Sequence, residues 1–241
     1  MHIRVPVPAD SPRCSSCMLS HLCLPIGMPA TDLGKLDDLV KDRVRVEKGR
    51  PLFTLGSELD AVYAVRFGSL RTQLEQSEGD LQITGFHLPG EIVGMDSIGQ
   101  HRHVSSAIAM EDSEVCVIRI DDIDRVGRLL PSLQSQIRRL MSQEISRSQQ
   151  MLLTLGSMRS EQRVAGFLLN LSQRLSTLGY SSTEFILRMS REEIGNYLGL
   201  TLETVSRLLS RFAREGIIHI HLREVRILDM AALQQVFGQE C

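Results

Sequence analysis

The chain has 241 residues, 42% of them hydrophobic and 23% charged, with a formal net charge of -2. That length and apolar content suffice for the cores of two domains and exclude disorder as the default state. The near-neutral balance excludes a uniformly basic nucleic-acid coat, so any DNA contact has to come from a local patch.

No apolar run approaches the roughly 18 residues of a membrane-spanning helix. Prolines interrupt MHIRVPVPADSPRC where a secretory signal would be apolar. A cytoplasmic protein with no membrane partner is expected. In that compartment thiols stay reduced, so five cysteines point to metal binding rather than to disulfides.

Residues 1-30 form a cysteine-rich segment. Cys14-x2-Cys17-x5-Cys23 puts three soft thiolates on one short loop and leaves a fourth tetrahedral ligand to be found elsewhere. Cys116 is the natural candidate, although a cysteine in a strand is by itself more often a small hydrophobe. Cys241 is terminal and a poor ligand. Spacing does not decide between zinc and an iron-sulfur cluster, since both accept four thiolates. Met18, Leu19, Leu22, Leu24 and Ile26 are expected to wall the site with apolar surface.

From Lys48 to about Ile120 short apolar or alternating runs (PLFTLG, AVYAVRFGSL, LQITGFHL, EIVGMD, EVCVIRI) are punctuated by glycines. This predicts an all-β sandwich or barrel over residues 31-130, with hairpin turns at the glycines and one turn at Glu78 to Asp80. After Pro131 the pattern becomes helical, with no glycine until Gly156. Met141, Ile145, Ser148, Leu152 and Leu155 step by four, three, four and three residues, the spacing of a coiled-coil seam. Residues 131-157 are therefore expected to pair with a second copy; the alternative is an amphipathic helix packed only on its own domain.

Residues 158-241 read as three helices and a hairpin, the order of a winged helix-turn-helix. Ser190 with Glu193 forms a capping box, Gly199 occupies the turn, Thr201 suits an N-cap and Gly216 stops the second helix. Gly195 sits where the two helices approach closely. Leu202, Val205, Leu208, Leu209 and Phe212 are expected to face inward. The opposite face carries Glu203, Ser206, Arg207, Ser210, Arg211 and Arg214. Near the helix N-terminus Glu203 can accept from cytosine N4, Arg207 can fork onto guanine, and Ser206 can serve either hydrogen-bonding or methyl contact. Arg211 and Arg214 lie farther along and suit phosphates. Glu203 and Arg207 also have the spacing of a surface ion pair.

Taken together, C-x2-C-x5-CLP at Cys14 to Pro25, QITGFHLPGEIVG at Gln82 to Gly94, the lone Cys116 and EIGNYLGLTLETVSRLLSRF at Glu193 to Phe212 resemble the FNR branch of the CRP superfamily, over about Cys14 to Leu228. The resemblance implies an α+β fold: an N-terminal β-roll of the cyclic-nucleotide-binding jelly-roll type, a long dimerisation helix and a C-terminal winged helix-turn-helix. It implies an oxygen-labile 4Fe-4S cluster on Cys14, Cys17, Cys23 and Cys116. It also implies a homodimer that reads TTGAT...ATCAA-like palindromes through Glu203, Ser206 and Arg207, with RNA polymerase as a partner. A zinc-stabilised or cluster-independent DNA-binding regulator is the alternative. FNR-like proteins often have an acidic residue in the dimer seam at the position of Ser148; serine removes that repulsion, and oxygen gating of the dimer is expected to be less strict here.

In CRP-like nucleotide sensors an acidic residue takes the ribose and an arginine the phosphate. The matching positions hold Met95 and Ser105, which supply neither an acceptor for ribose nor a positive charge, so a β-roll without cyclic nucleotide is expected. An enzyme reading would rest on His87, His101 and His103. A lone HxH without a carboxylate or cysteine at ligand spacing is weak support, and these are read as surface turn histidines.

Overall fold

The computed structural model describes residues 3-6, 13-37, 39-40, 42-75 and 81-238. The expected turn at Glu78 to Asp80 and Cys241 lie outside them. The chain divides into two compact units, Met1–Ser146 and Arg147–Cys241.

The first unit is a β-roll with short helices. Its strands are β1 (Ile3–Pro6), β2 (Asp42–Val46), β3 (Pro51–Phe53), β4 (Ala61–Phe67), β5 (Leu70–Glu75), β6 (Leu81–His87), β7 (Ile92–Val93), β8 (Ser106–Ala109) and β9 (Ser113–Arg119). They form one sheet in the order β1-β2-β9-β4-β7 and another in the order β3-β8-β5-β6. Every pairing is antiparallel.

Strand alternation gives the first of these sheets two buried faces. Ala61, Tyr63 and Val65 of β4, Val115 and Val117 of β9, and Val44 and Val46 of β2 point into the core between the sheets. Their neighbours Val62, Ala64 and Ile118 point the other way, into a second core. That core is closed by α1 (Ala30–Leu36), α2 (Ile120–Gly127) and the start of α3 (Pro131–Ser157). Leu24, Leu36, Leu39, Val126, Leu130 and Leu133 fill it. Cys116, between Val115 and Val117, necessarily faces this second core.

The second unit contains α4 (Ser160–Thr177), β10 (Glu184–Ile186), α5 (Arg191–Leu198), α6 (Leu202–Arg214), β11 (Ile218–His221), β12 (Glu224–Ile227) and α7 (Met230–Phe237). The three strands form a sheet in the order β10-β12-β11. The sequence reading did not foresee β10 or α7. Helix α7 begins at Asp229, whose side chain accepts from the Ala232 N–H, and ends at Gly238 in the left-handed region. It packs on α4 so closely that a Cβ at Gly166 would lie 2.6 Å from the Phe237 ring.

Candidate functional site

The second unit presents a compact helix pair. Ser190 accepts from the Glu193 N–H while Glu193 accepts from the Ser190 N–H, a reciprocal cap that starts α5. Gly199 ends α5 at φ 63°, and a Cβ at Gly195 would lie 2.6 Å from the Leu200 carbonyl oxygen. Thr201 caps α6 by accepting from the Thr204 N–H. Ile194, Leu198, Val205, Leu208, Leu209 and Phe212 are buried between the helices and their support. Leu202 departs from the expected inward face: it is 43% exposed, because it opens the first turn of α6 before the helix meets its partner.

The solvent side of α6 carries Glu203, Arg207 and Arg214, all exposed, with Ser206 half-buried among them. No ion pair joins Glu203 to Arg207. Hydrogen bonds from its own backbone N–H and from Thr201 hold the Glu203 carboxyl below its usual range. Arg211 is different. Its guanidinium donates to Glu215 at 2.7 Å and also to Glu161, so its charge is already answered by two carboxylates. A phosphate would have to displace them.

Cys14 opens a short 3-10 turn, Cys17 closes it, and Cys23 follows in a chain of turns. On the sheet, Cys116 pairs with Arg43 of β2 on one side and Ala64 of β4 on the other. All four cysteines are free thiols and line one cavity of about 40 Å³. Leu19, Leu24, Pro25, Val40 and Ile118 give it apolar walls, and Arg13, Arg43 and Arg66 also line it. Burial, reinforced by the negative charge that neighbouring sulfurs would carry, pushes the Cys14 thiol up to about 12. Burial also pushes Cys23 up to about 12 and raises Cys116. Without a cation among them these thiols stay protonated. Among the described residues no three His, Cys, Asp or Glu side chains are grouped closely enough to hold a metal ion as they stand. The expected apolar wall is only partly present, for Met18 is 89% exposed. Leu22 packs on Gly90, where a Cβ would lie 3.0 Å from the leucine Cβ and where φ is +89°.

The cavity is continuous with the second core, since Cys14, Cys23 and Cys116 pack against it together with Ile137 and Leu140 of α3. Farther along α3, Met141, Ile145, Ser148 and Leu152 are exposed, Ile145 by 58% and Leu152 by 71%. Leu155 is half-buried and lies beside Gly199.

At the positions read as a vacant nucleotide site, Met95 is buried in the second core and Ser105 donates to Asp96 at 2.7 Å. The histidines correct the sequence reading: His87 and His103 are buried, and only His101 is on the surface. Backbone bonds from Gly56 N–H to the His103 carbonyl, and from His103 N–H to Ser57, turn residue 103 inward. Its ring stacks on Phe53 at 3.8 Å.

Residues 43-128 match the cyclic nucleotide-binding domain and residues 162-236 the Crp-like helix-turn-helix domain. The chain is 69% identical to the transcriptional regulatory protein btr of Bordetella pertussis, covering 100% of this chain and 99% of that one. It belongs to the CRP/FNR family of transcription regulators. It is 42% identical to the fumarate and nitrate reduction regulatory protein of Escherichia coli K12 over 93% of its own length and 90% of the relative's. Among solved structures, FixK2 of Bradyrhizobium japonicum matches with a TM-score of 0.76 and 28% identity, over 83% of this chain and 98% of that one. As a member of this family the chain is a DNA-binding regulator, not an enzyme. Among the described residues no helix is long and apolar enough to cross a membrane.

Proposed function

We propose that this CRP/FNR regulator is an oxygen-responsive one, carrying a 4Fe-4S cluster on Cys14, Cys17, Cys23 and Cys116 and binding palindromic promoter DNA as a homodimer in the cytoplasm, with RNA polymerase as its partner there. The observation that carries the reading is the convergence of four free thiols on one mainly apolar cavity. The donor set is all sulfur, as clusters prefer. Relatives named as anaerobic or fumarate and nitrate reduction regulatory proteins, 42 to 43% identical, point the same way.

When bound, the cluster supplies an oxygen-labile link between the cysteine loop and β9. The protein's own residues do the rest. Leu24 and Cys23 share a core with Leu130, Leu133 and Ile137, so the seating of the loop bears directly on the first turns of α3. The exposed Met141, Ile145, Ser148 and Leu152 face a second copy, and Glu203, Ser206 and Arg207 read base edges while Arg214, and Arg211 once released, hold phosphates. Met95 and Ser105 leave cyclic nucleotide without its usual partners. Residues 1-30, 31-130, 131-157 and 158-241 serve as cofactor segment, β-roll, dimerisation helix and DNA-binding domain.

The test is protein prepared without air, assayed for absorption, iron and acid-labile sulfide. Brown protein with about four irons and four sulfides per chain supports the reading. Colourless protein containing stoichiometric zinc overturns it in favour of a structural metal.

A further inference from the structure

Only Met158 and Arg159 separate α3 from α4. Arg163, in the first turn of α4, turns its guanidinium back across that junction. Nη2 donates to the Leu155 carbonyl at 2.8 Å, Nε to the Met158 carbonyl at 3.0 Å and Nη1 to the Leu198 carbonyl at 2.9 Å. Leu155 lies in the last turn of α3 and Leu198 is the last residue of α5, so neither carbonyl has an intrahelical partner. The Arg159 N–H, which would continue α3 onto Leu155, goes instead to the Gln162 side chain at 3.0 Å.

Two helices thus end on one cation. The C-terminal ends of α3 and α5 carry partial negative charge, and neither helix has a basic residue in its own last turn. Arg163 supplies that charge to both from a third helix, and its planar fork addresses separate acceptors in fixed directions. The place is also sterically closed: a Cβ on Gly199 would lie 3.2 Å from Leu155 Cδ2 and 3.3 Å from Arg163 Nη1. One turn along α4, Phe167 meets the Tyr197 ring edge-on with centroids 6.1 Å apart. Arg163 therefore holds the chain at the end of α5, immediately before the turn into α6. All of these residues, with the seam positions Ser148, Leu152 and Leu155, belong to the second compact unit.

Resting on the palindromic-dimer reading above, we propose that Arg163 sets the half-site spacing this regulator accepts: by donating to α3, to the α3–α4 junction and to α5 together, it fixes the helix-turn-helix on the end of the dimerisation helix. It is a positioning residue, acting through Leu198 and Gly199 on α6 rather than on the DNA. A palindrome presents its half-sites about 34 Å apart, and one added base pair moves the second by about 3.4 Å and turns it by roughly 35° about the duplex axis. A recognition helix held rigidly to the dimer helix rejects the displaced half-site. One on a loosened junction follows it, at the cost of a lower effective concentration at the correct spacing.

The experiment titrates anaerobically prepared full-length protein with duplexes carrying TTGAT and ATCAA half-sites at the best-bound spacing, the same pair with the spacer lengthened by a single base pair, an isolated half-site and a scrambled sequence. Arg163→Met is expected to bind the best-spaced palindrome roughly 10-fold more weakly, to lose most of the preference for it over the lengthened one, and to keep its half-site affinity within about twofold. The salt dependence on scrambled DNA stays as in wild type, because the guanidinium is committed to carbonyls and not to phosphate. Arg163→Lys restores part of the spacing preference, since an ammonium keeps the charge at the helix ends without the fork. Should Arg163→Met unfold, Arg163→Lys carries the test: a reduced preference supports the proposal and a wild-type preference overturns it. An unaltered spacing preference in folded Arg163→Met, or an equal loss on every duplex with a flatter salt dependence, overturns the arginine role and leaves the dimer reading standing. A wild-type protein indifferent to spacing overturns the palindromic-dimer reading and the arginine role together.

Discussion

The backbone N–H and the hydroxyl of Ser15 both donate to the Asp37 carboxylate, at 3.0 and 2.7 Å. Ser15 follows Cys14, and Asp37 caps the C-terminal end of α1. Near the start of the same helix Asp32 accepts from the Ser132 hydroxyl at 2.6 Å, in the first turn of α3. Helix α1 is thus a hydrogen-bonded bridge between the cysteine loop and the base of α3. Asp37→Ala is expected to free the loop at a cost of about 1 to 2 kcal/mol, modest because the bonds are partly solvated. Hydrogen exchange in cluster-free protein should show residues 13-24 opening faster while β4 and β9 keep their protection. Unchanged exchange in the loop would mean that the apolar contacts of Leu24 alone seat it.

Replacing any one of Cys14, Cys17, Cys23 or Cys116 by serine should abolish cluster binding, whereas Cys241→Ser should leave it intact. A hard hydroxyl is a poor substitute for a thiolate at a soft site. Cys116 is the informative member, since the strand would tolerate serine with little change in fold. Full iron and sulfide content in Cys116→Ser would remove it from the ligand set.

Much of this was legible in the sequence because local chemistry and tertiary role coincide. Gly195, Gly199 and the Ser190–Glu193 cap are dictated by the turn between α5 and α6, so they announce it without any distant information. The long period of α3 announced itself likewise. Cys116 was a weaker inference, for its partnership with the loop depends on β9 having both faces buried, and one strand cannot say that about itself. His103 was misread because HRH is polar in sequence; two backbone bonds to the Gly56–Ser57 turn fold it onto Phe53 instead. Helices α1, α2 and α7 are seven or eight residues long, too short for periodicity to stand out.

On the recognition helix, Arg207→Ala is expected to cost about 1 to 3 kcal/mol and relax preference at the guanine it reads. Arg214→Ala should weaken all sequences alike and flatten the dependence on salt. Arg211 adds a third case. Glu161→Gln removes one of its two carboxylates, so non-specific affinity should rise and the salt dependence steepen. Binding titrations on specific and scrambled duplexes at several salt concentrations separate the three. Equal, sequence-independent losses in Arg207→Ala and Arg214→Ala would mean that a different face of α6 meets the bases.

Acid should destabilise the β-roll in two stages. His103 is 2% exposed and neither ring nitrogen has a hydrogen-bond partner among the described residues. Burial lowers its pKa from the ordinary 6.5, with Asp96 and Asp60 opposing only in part. A group depressed in the folded state contributes its stability above its unfolded pKa and loses it as pH falls through the folded value. Stability should therefore decline below about pH 6.5, and His103→Phe, which keeps a ring on Phe53, should flatten that decline. Glu114, also depressed, adds a second loss below its ordinary 4.5 that His103→Phe leaves in place. Thermal melts of both proteins from about pH 8 to about pH 4 check this; parallel curves throughout would assign the first stage to another group.

The last prediction concerns how the dimer answers to the cofactor. A palindromic site needs two recognition helices about 34 Å apart, so a monomer loses both the second half-site and the fixed spacing. The exposed side chains of Met141, Ile145 and Leu152 supply apolar surface for a partner copy, and Ser148, exposed between them, brings no charge to it. Two carboxylates facing each other across such a seam would repel by an amount that burial in the dimer enlarges. Because this chain lacks them, loss of the cluster should bias a monomer-dimer equilibrium through the packing of Leu24 on Leu130 and Leu133 rather than abolish the dimer. Cluster-free protein is expected to retain some dimer and some specific DNA binding, and Ser148→Asp to lower both, most of all without the cluster. Sedimentation and DNA titrations of loaded, cluster-free and Ser148→Asp protein measure these quantities directly. A strictly monomeric cluster-free form, together with a loaded Ser148→Asp protein indistinguishable from wild type, would place Ser148 outside the interface and shift the heptad register by at least one residue.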